Sequence, residues 1–446
     1  MKINCKSIVS LLAAATLLLS LCACGTSSGT NTNANGAAPA QQAANENIEL
    51  SIWHIWPDST NETNKIITGF AEQYQKENPH VKINLDATQQ DEYQQRKLKV
   101  AAATGSQGDI FYTWAPGYSR QFIDAGAVLP LDDYFAEDKT YDRMLDGVMD
   151  YFMFDGKAYG IPCKNWAGVM FCNTELFEKY NVEYPETWDQ LLTAVKTFRS
   201  EGLTPMAMGG KDAWHIGMYH NAIALRTAGV QYCNDALQGL ASLDTPEIVE
   251  SARLMKELSD AGAFMDGTLG VTYDEAQMEF FMGLVPMYYS GNWTSGDVDS
   301  DDNDVKGLIK VMPMPTVSGG KGDATTHLGG VAEGFMVNSN TKHPDEAVKL
   351  AIALTEYMSQ KCYIIGDGLP AWKMDVDESE VSPTLIEIKK IINDASGFVL
   401  AWDTFLEGAA IDAHYNLLQA LIGGTVTPEE FAQQMEEANK AQKSQE

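Results

Sequence analysis

The chain has 446 residues, 45% of them hydrophobic, with 61 acidic side chains against 31 basic ones and a formal net charge of −30. That length exceeds what one hydrophobic core ordinarily serves, so two or three packed bodies are expected. The acid excess speaks against a nucleic-acid partner, whose phosphates call for basic patches, and suits solubility at a cell surface.

Residues 1–23 read as a lipoprotein signal peptide. Lys2 and Lys6 flank an apolar run from Ile8 to Leu21 that is short for a membrane span and closely followed by cysteine. In Leu21-Cys22-Ala23-Cys24-Gly25 the small Ala23 precedes Cys24, as in a bacterial lipobox, so Cys24 is the expected lipid anchor and mature N-terminus. Cys22 would put the bulky Leu21 at the small-residue position. The alternative is an ordinary signal peptide with accidental cysteines. Removing two lysines with this segment leaves 29 basic against 61 acidic residues, a net charge of −32. Residues 24–47 carry no bulky apolar side chain beyond the cysteine and read as a disordered tether. Cys163, Cys172, Cys233 and Cys362 show no metal-ligand spacing. Lone buried thiols are favoured over a Cys163–Cys172 bridge.

Ile48 to Ile52 alternates as a strand and runs into Trp53-His54-Ile55-Trp56-Pro57-Asp58, a loop rich in rings. A helix carrying Ile66, Ile67, Phe70 and Tyr74 stops at Asn78-Pro79, and Val81, Ile83 and Leu85 mark the next strand. A helix over roughly 91–103 leads to Asp109-Ile-Phe-Tyr-Thr-Trp114, then another helix. Strand, helix, strand, helix with short links is the pattern of a parallel α/β sheet, whose ligands gather beyond the strands' carboxyl ends. Trp56 and Trp114 sit in such places. Gly160-Ile-Pro162 is a breaker where the chain crosses between two bodies, followed by Lys164-Asn165-Trp166 and a strand ending at Asn173-Thr174. Trp166 faces either a cleft or the core.

Helices dominate thereafter. Thr187 is a cap candidate with Trp188 as packing; a segment over 213–228 bears Trp214, and one over 245–260 is amphipathic. Met278 to Trp293 passes from helix through a glycine break into a strand. Gly329-Gly-Val-Ala-Glu333-Gly334 and Gly366-Asp-Gly-Leu-Pro370-Ala-Trp372 are further candidate crossings; Trp402-Asp403 opens one late helix and Pro428-Glu429 the last.

Besides Trp188, eight tryptophans lie at loops or element ends: 53, 56, 114, 166, 214, 293, 372 and 402. Indoles stack on the apolar C–H faces of sugars, and neighbouring Asn, Asp, Glu and His bond hydroxyls, so about five of the eight are expected to line one cleft. His54, Asp58, Asn165, Glu333 and Asp403 are the polar candidates. There is no GxSxG, Walker loop or HExxH, and Gly329-Gly330 is no dinucleotide fingerprint. A glycosidase's carboxylate pair stays open as an alternative. The run Asp297 to Asp304 lacks the turn glycine and bidentate glutamate of a calcium loop and reads as a solvated surface loop, with no metal or cofactor expected.

These phrases resemble a known family, the extracellular solute-binding proteins of bacterial ABC importers that include maltodextrin-binding proteins. The resemblance covers residues 46–440 and rests on Gly108-Asp-Ile-Phe, Ala125-Gly-Ala-Val-Leu-Pro-Leu-Asp132, Tyr159-Gly-Ile-Pro, Asn173-Thr-Glu-Leu-Phe, Pro185-Glu-Thr-Trp-Asp, Phe281-Met-Gly-Leu-Val-Pro-Met, Gly291-Asn-Trp293 and Met312-Pro-Met-Pro. It implies a two-lobed α/β fold of the periplasmic-binding-protein type II class, each lobe a mixed sheet flanked by helices. The three crossings would fall near 161, 333 and 367, giving lobes of 48–161 plus 333–366 and 162–332 plus 367–446. It implies ligand contact from the loop His54 to Asp58 and from Trp114, Trp166, Trp293 and Trp402, with Trp214, Glu333 and Trp372 as weaker transfers. Trp166 stands where maltodextrin relatives carry an acid, which leaves the particular sugar open. The implied function is capture of a sugar or oligosaccharide by a monomer on the outer face of the membrane, with delivery to an ABC permease and no catalysis. A polyamine, peptide or other polar solute is the alternative ligand.

Overall fold

The computed structural model describes residues 47–443; the signal peptide, Cys24 and the tether up to residue 46 lie outside the described residues. Strand β1 (Ile48–His54) buries Leu50, Ile52 and His54 at every second position, as the pleat requires. It lies between parallel neighbours β2 (Val81–Ala87) and β3 (Ile110–Trp114). The helix Glu62–Glu77 between β1 and β2 starts at Asn61, whose side chain accepts from the N–H groups of Thr63 and Asn64. It buries Ile67, Phe70, Ala71 and Tyr74, one helical stripe.

Further strands are β4 (Ile161–Asn173), β5 (Met206–Ala207), β6 (Met287–Gly291), β7 (Ile309–Met312), β8 (Thr326–Val337), β9 (Leu369–Pro370) and β10 (Gly397–Val399). The main path runs β2-β1-β3-β8-β4-β6-β5. Beyond β3 the pairing is mixed: β8 is antiparallel to both β3 and β4, β4 is antiparallel to β6 and β7, and β5 and β10 run parallel to β6 and β8, respectively. The sheet is therefore mixed, and the parallel arrangement read from the early strand–helix alternation holds for its first three strands.

Two long strands hold the halves of this sheet together. β4 pairs with β8 through its first residues and with β6 and β7 from Gly168 onward; β8 meets β3 through Glu333–Val337 and β4 from Gly329. The register of β8 shifts on both sides of Glu333, a bulge that redirects the strand. Gly329 permits the close approach: with φ of +147°, a Cβ there would lie 2.2 Å from the Trp166 carbonyl oxygen. The helix Pro344–Ile365 then ends at left-handed Gly366, and β9 pairs with Asn165 and Lys164 of β4. The segments around 161–165, 329–334 and 366–370 thus lie side by side.

Helices cover both halves. Glu62–Glu77 packs on Pro344–Ile365, with Phe70 and Tyr357 rings 5.3 Å apart. In the other half, every residue of helix Ala213–Ala228 from His215 onward is buried, the polar His215, His220, Asn221, Arg226 and Thr227 included, so the helix is enclosed on nearly every side. His220 on that helix meets Phe431 of the last helix, Pro428–Lys443, at 4.8 Å. Thr187 and Gln190 form a reciprocal capping box, and Trp188 is buried with its indole N–H on Glu257 at 3.3 Å. Among the described residues, no helix is long and apolar enough to cross a membrane.

Cys163, Cys172, Cys233 and Cys362 are free and buried. Cys163 and Cys172 lie nine positions apart on β4, so their Cα atoms are about 30 Å apart at the usual rise, beyond any bridge. The acidic run is partly structural. Asp299 accepts from Ser382 Oγ at 2.5 Å, Thr384 N at 3.0 Å and Thr384 Oγ1 at 2.7 Å, anchoring the start of helix Pro383–Asn393. We expect Asp299→Ala to lower the unfolding free energy by ~1–3 kcal/mol, because three donors at a half-buried helix start lose their acceptor. Urea unfolding measures this; an unchanged midpoint would show that the cap contributes nothing.

Candidate ligand-binding site

The first group of candidates hangs from the carboxyl ends of β1 and β3. His54 is buried, and burial pushes its imidazole pKa down to about 4, so the ring is neutral and Nδ1 accepts the Trp56 N–H at 3.3 Å. Trp56 is half-buried and meets Tyr112 edge-on at 4.9 Å, while its carbonyl accepts from Asn64 Nδ2 at 2.6 Å. Trp114 lies deeper, walled by the rings of Tyr93, Tyr112 and Tyr118 within 6.4 Å. Asp58 is exposed and accepts from Thr60 N and Oγ1, both at 2.8 Å, closing the turn before helix Glu62–Glu77.

The second group assembles from four distant segments. Trp166 on β4 lies 5.4 Å from Trp293, which follows β6, and Trp293 lies 6.4 Å from Trp214 in the first turn of helix Ala213–Ala228. Tyr273 completes the cluster: its ring is 4.7 Å from Trp214, and its hydroxyl accepts the Trp293 indole N–H at 2.9 Å. Gly291 has no side chain for a physical reason, since a Cβ there would stand 2.0 Å from the Trp293 ring. Buried Asn292 fixes the neighbouring backbone, accepting from Ala167 N at 3.2 Å and donating to the Asn165 carbonyl at 3.5 Å.

Trp402 is fully buried between His220 and His414, each 5.2 Å away, and its backbone N–H donates to Asn221 Oδ1 at 3.0 Å. Asp403 accepts from the Tyr415 hydroxyl at 2.7 Å; burial raises its pKa, opposed by that bond. Trp372 is also fully buried, and its indole N–H donates to the Pro162 carbonyl at 2.8 Å. That places Trp372 as packing that braces a crossing, and not as a ring offered to solvent, which differs from the role the family resemblance implied. Glu333 pairs in register with both Trp114 and Lys164. Three of the candidates hold buried polar atoms without a hydrogen-bond partner: Asn165 Oδ1, Glu333 Oε2 and Trp402 Nε1. Glu333 Oε2 faces the Lys164 ammonium at 3.6 Å, so Asn165 Oδ1 and Trp402 Nε1 are the acceptor and donor of this kind that match what a polyhydroxylated ligand supplies.

The two halves touch around these groups. Helix Trp402–Phe405 abuts Gly117–Asp124 so closely that a Cβ on Gly117 would lie 2.1 Å from the Phe405 carbonyl oxygen, and Lys99 pairs with Asp412 at 3.3 Å. Asp91 shares a hydrogen bond with Asp212, the residue before the Trp214 helix, and burial first, then Asp212, pushes the Asp91 carboxyl up to about 8. Burial and the charges of Asp212 and Asp58 also raise Asp274. Tyr273, Asn292 and the Asp91–Asp212 pair carry no local sequence signal for such a site. The Thr272-x-x-Glu275 cap marks Tyr273 only as the opening of a helix, and nothing local ties it to Trp214 or Trp293.

The chain matches the profile of the bacterial extracellular solute-binding proteins over residues 57–361. A solved structure from work on xylan utilization by the thermophilic bacterium Caldanaerobius polysaccharolyticus is 42% identical, with a TM-score of 0.84 over 87% of this chain and 99% of that one. A chitin oligosaccharide binding protein is 26% identical, with a TM-score of 0.82 over 88% and 98%. The multiple sugar-binding protein of Streptococcus mutans is 22% identical over 77% of this chain and 80% of its own length. A binding protein of Brucella abortus is 26% identical over 62% of this chain, and the match spans 65% of that relative's length. With a matched profile covering most of its length and a two-lobed α/β architecture shared with solved members, this chain belongs to the bacterial extracellular solute-binding protein family of ABC transporters.

Proposed function

We propose that the protein captures a carbohydrate outside the cell, most simply a xylan-derived oligosaccharide, and hands it to an ABC permease without breaking a bond. The observation that carries this reading is the gathering of Trp166, Trp214, Trp293 and Tyr273 from four distant segments beside the adjoining crossings. Each good ring contact contributes ~0.5–1.5 kcal/mol beyond area burial, and the unpartnered atoms of Asn165 and Trp402 supply direction. The relatives named for sugars and the 42% identical structure from xylan utilization support the ligand class. In this reading, residues 48–161 plus 333–366 and 162–332 plus 367–446 move as lobes about the crossings, ligand contact to both drives closure, and a monomer tethered through lipidated Cys24 serves the membrane. The acid rim of Asp58, Asp91, Asp212 and Asp274 favours, as a second reading, a cationic solute such as a polyamine.

Titration calorimetry against xylo-oligosaccharides and polyamines separates the two. We expect binding to the sugars with a change in tryptophan fluorescence, and at least about tenfold weaker binding, ~1.4 kcal/mol, in Trp293→Ala or Trp402→Ala. Polyamine binding alone, or both variants binding like wild type, would defeat the assignment. Release of sugar products by the purified protein would mark a hydrolase instead.

Closure brings Asp91 against Asp212, so pH enters the affinity. A carboxyl whose pKa is raised in the folded state contributes fully below its ordinary value near 3.8 and loses that contribution as pH rises to about 8. Sugar affinity is therefore expected to fall between roughly pH 5 and 8, and Asp91→Asn to flatten the profile. Calorimetry at three pH values shows this; an equal slope in the variant would remove Asp91 from the account.

A further inference from the structure

Lys164 lies where the three crossing segments meet, and the ligand-site reading above does not use it. Its side chain is 6% exposed, and its ammonium stands 3.2 Å from both carboxylate oxygens of Asp367 and 3.6 Å from Glu333 Oε2. Those partners come from the other two crossings, and Lys164 pairs in register with Glu333 of β8 and Pro370 of β9. The chain makes room for the stem: a Cβ on Gly368, whose φ is +152°, would lie 2.8 Å from Lys164 Cδ. The same ammonium lies 5.5 Å from the centre of the Trp56 ring. A second route closes the circle. Asp367 accepts from Thr63 Oγ1 at 2.6 Å, and the next residue, Asn64, donates to the Trp56 carbonyl at 2.6 Å.

A buried ammonium is heavily penalised unless paired, and removing it would leave two nearly buried carboxylates facing each other. Burial opposes the Lys164 charge, but Asp367 and then Glu333 outweigh it and raise its pKa, so the charge is held. A purely mechanical clasp would not need an aromatic face on the cation or a path from Asp367 back to the Trp56 loop.

We propose that Lys164 is a positioning residue for ligand capture, holding the Trp56 indole against the three crossing segments so that occupancy of the ring is coupled to approach of the lobes. The affinity part rests on the carbohydrate reading; the placement of Trp56 does not.

The test uses the chain labelled with 5-fluorotryptophan, the Trp56 fluorine resonance being assigned by its loss in Trp56→Phe. Without ligand, Lys164→Met is expected to shift or broaden the Trp56 line while the Trp188 line, remote from the crossings, stays. With xylo-oligosaccharides, Lys164→Met is expected to weaken binding about tenfold, Lys164→Arg to recover part of it, and the Lys164→Met/Trp56→Phe double variant to bind no more weakly than the worse single variant. An unmoved Trp56 line, or strictly additive losses, would overturn the proposal. If Lys164→Met does not fold, Asp367→Asn keeps the Thr63 bond but removes a charge, and must move the same line; if it does not, the proposal fails. Should the wild type bind no sugar, the carbohydrate reading falls and the fluorine measurement still decides the role of Lys164.

Discussion

The antiparallel pairing of β4 with β8 is the constraint on which the rest of the structure depends. Each strand is long enough to serve both halves of the sheet, so every other strand takes its place relative to this pair. Close approach at Gly329 and the bulge at Glu333 allow the two strands to run together and then part toward different neighbours. The ring-bearing loops follow from that parting. Trp166 rides on β4 itself, Trp293 hangs from the end of β6, and Trp56 and Trp114 sit at the ends of β1 and β3. Backbone hydrogen bonds position these side chains, and the aromatic contacts then fix their angles.

Much of this was legible in the residues, and the limits have physical causes. Alternation in β1 and β2 and the Thr187 cap are local signals that the fold obeys, whereas Ile161-Pro162, read as a breaker ahead of a strand, begins the strand itself. Pairing partners are not local. The antiparallel insertion of β8 beside β3 depends on a segment more than two hundred residues away, which no window around β3 reveals. The tryptophans show the same division. Trp166, Trp214 and Trp293 share a loop or element-end position by sequence and lie together in space, whereas Trp372 shares their setting by sequence yet is covered by the crossing it braces. Tyr273 escaped because a helix-opening tyrosine carries no mark of the indole it will meet.

The charges separate in a comparable way. Most acids are exposed and account for the net charge, but a few lie where solvent is scarce, and these carry the specific chemistry. Lys164 answers two of them, Asp91 and Asp212 answer each other through a proton, and Asp299 answers the start of a helix. Imidazoles stay out of this ledger. Burial keeps His54 and His215 with pKa values near 4, so they act as neutral spacers and acceptors at physiological pH.

The thiols described above have a consequence for where such a protein can work. Burial raises the pKa of Cys163, Cys172, Cys233 and Cys362, so none presents a reactive thiolate to the medium. Oxidants outside the cell find nothing to attack at these positions, and reductants find no bridge among them to open. Among the described residues, packing and backbone pairing hold the fold without a disulfide cross-link.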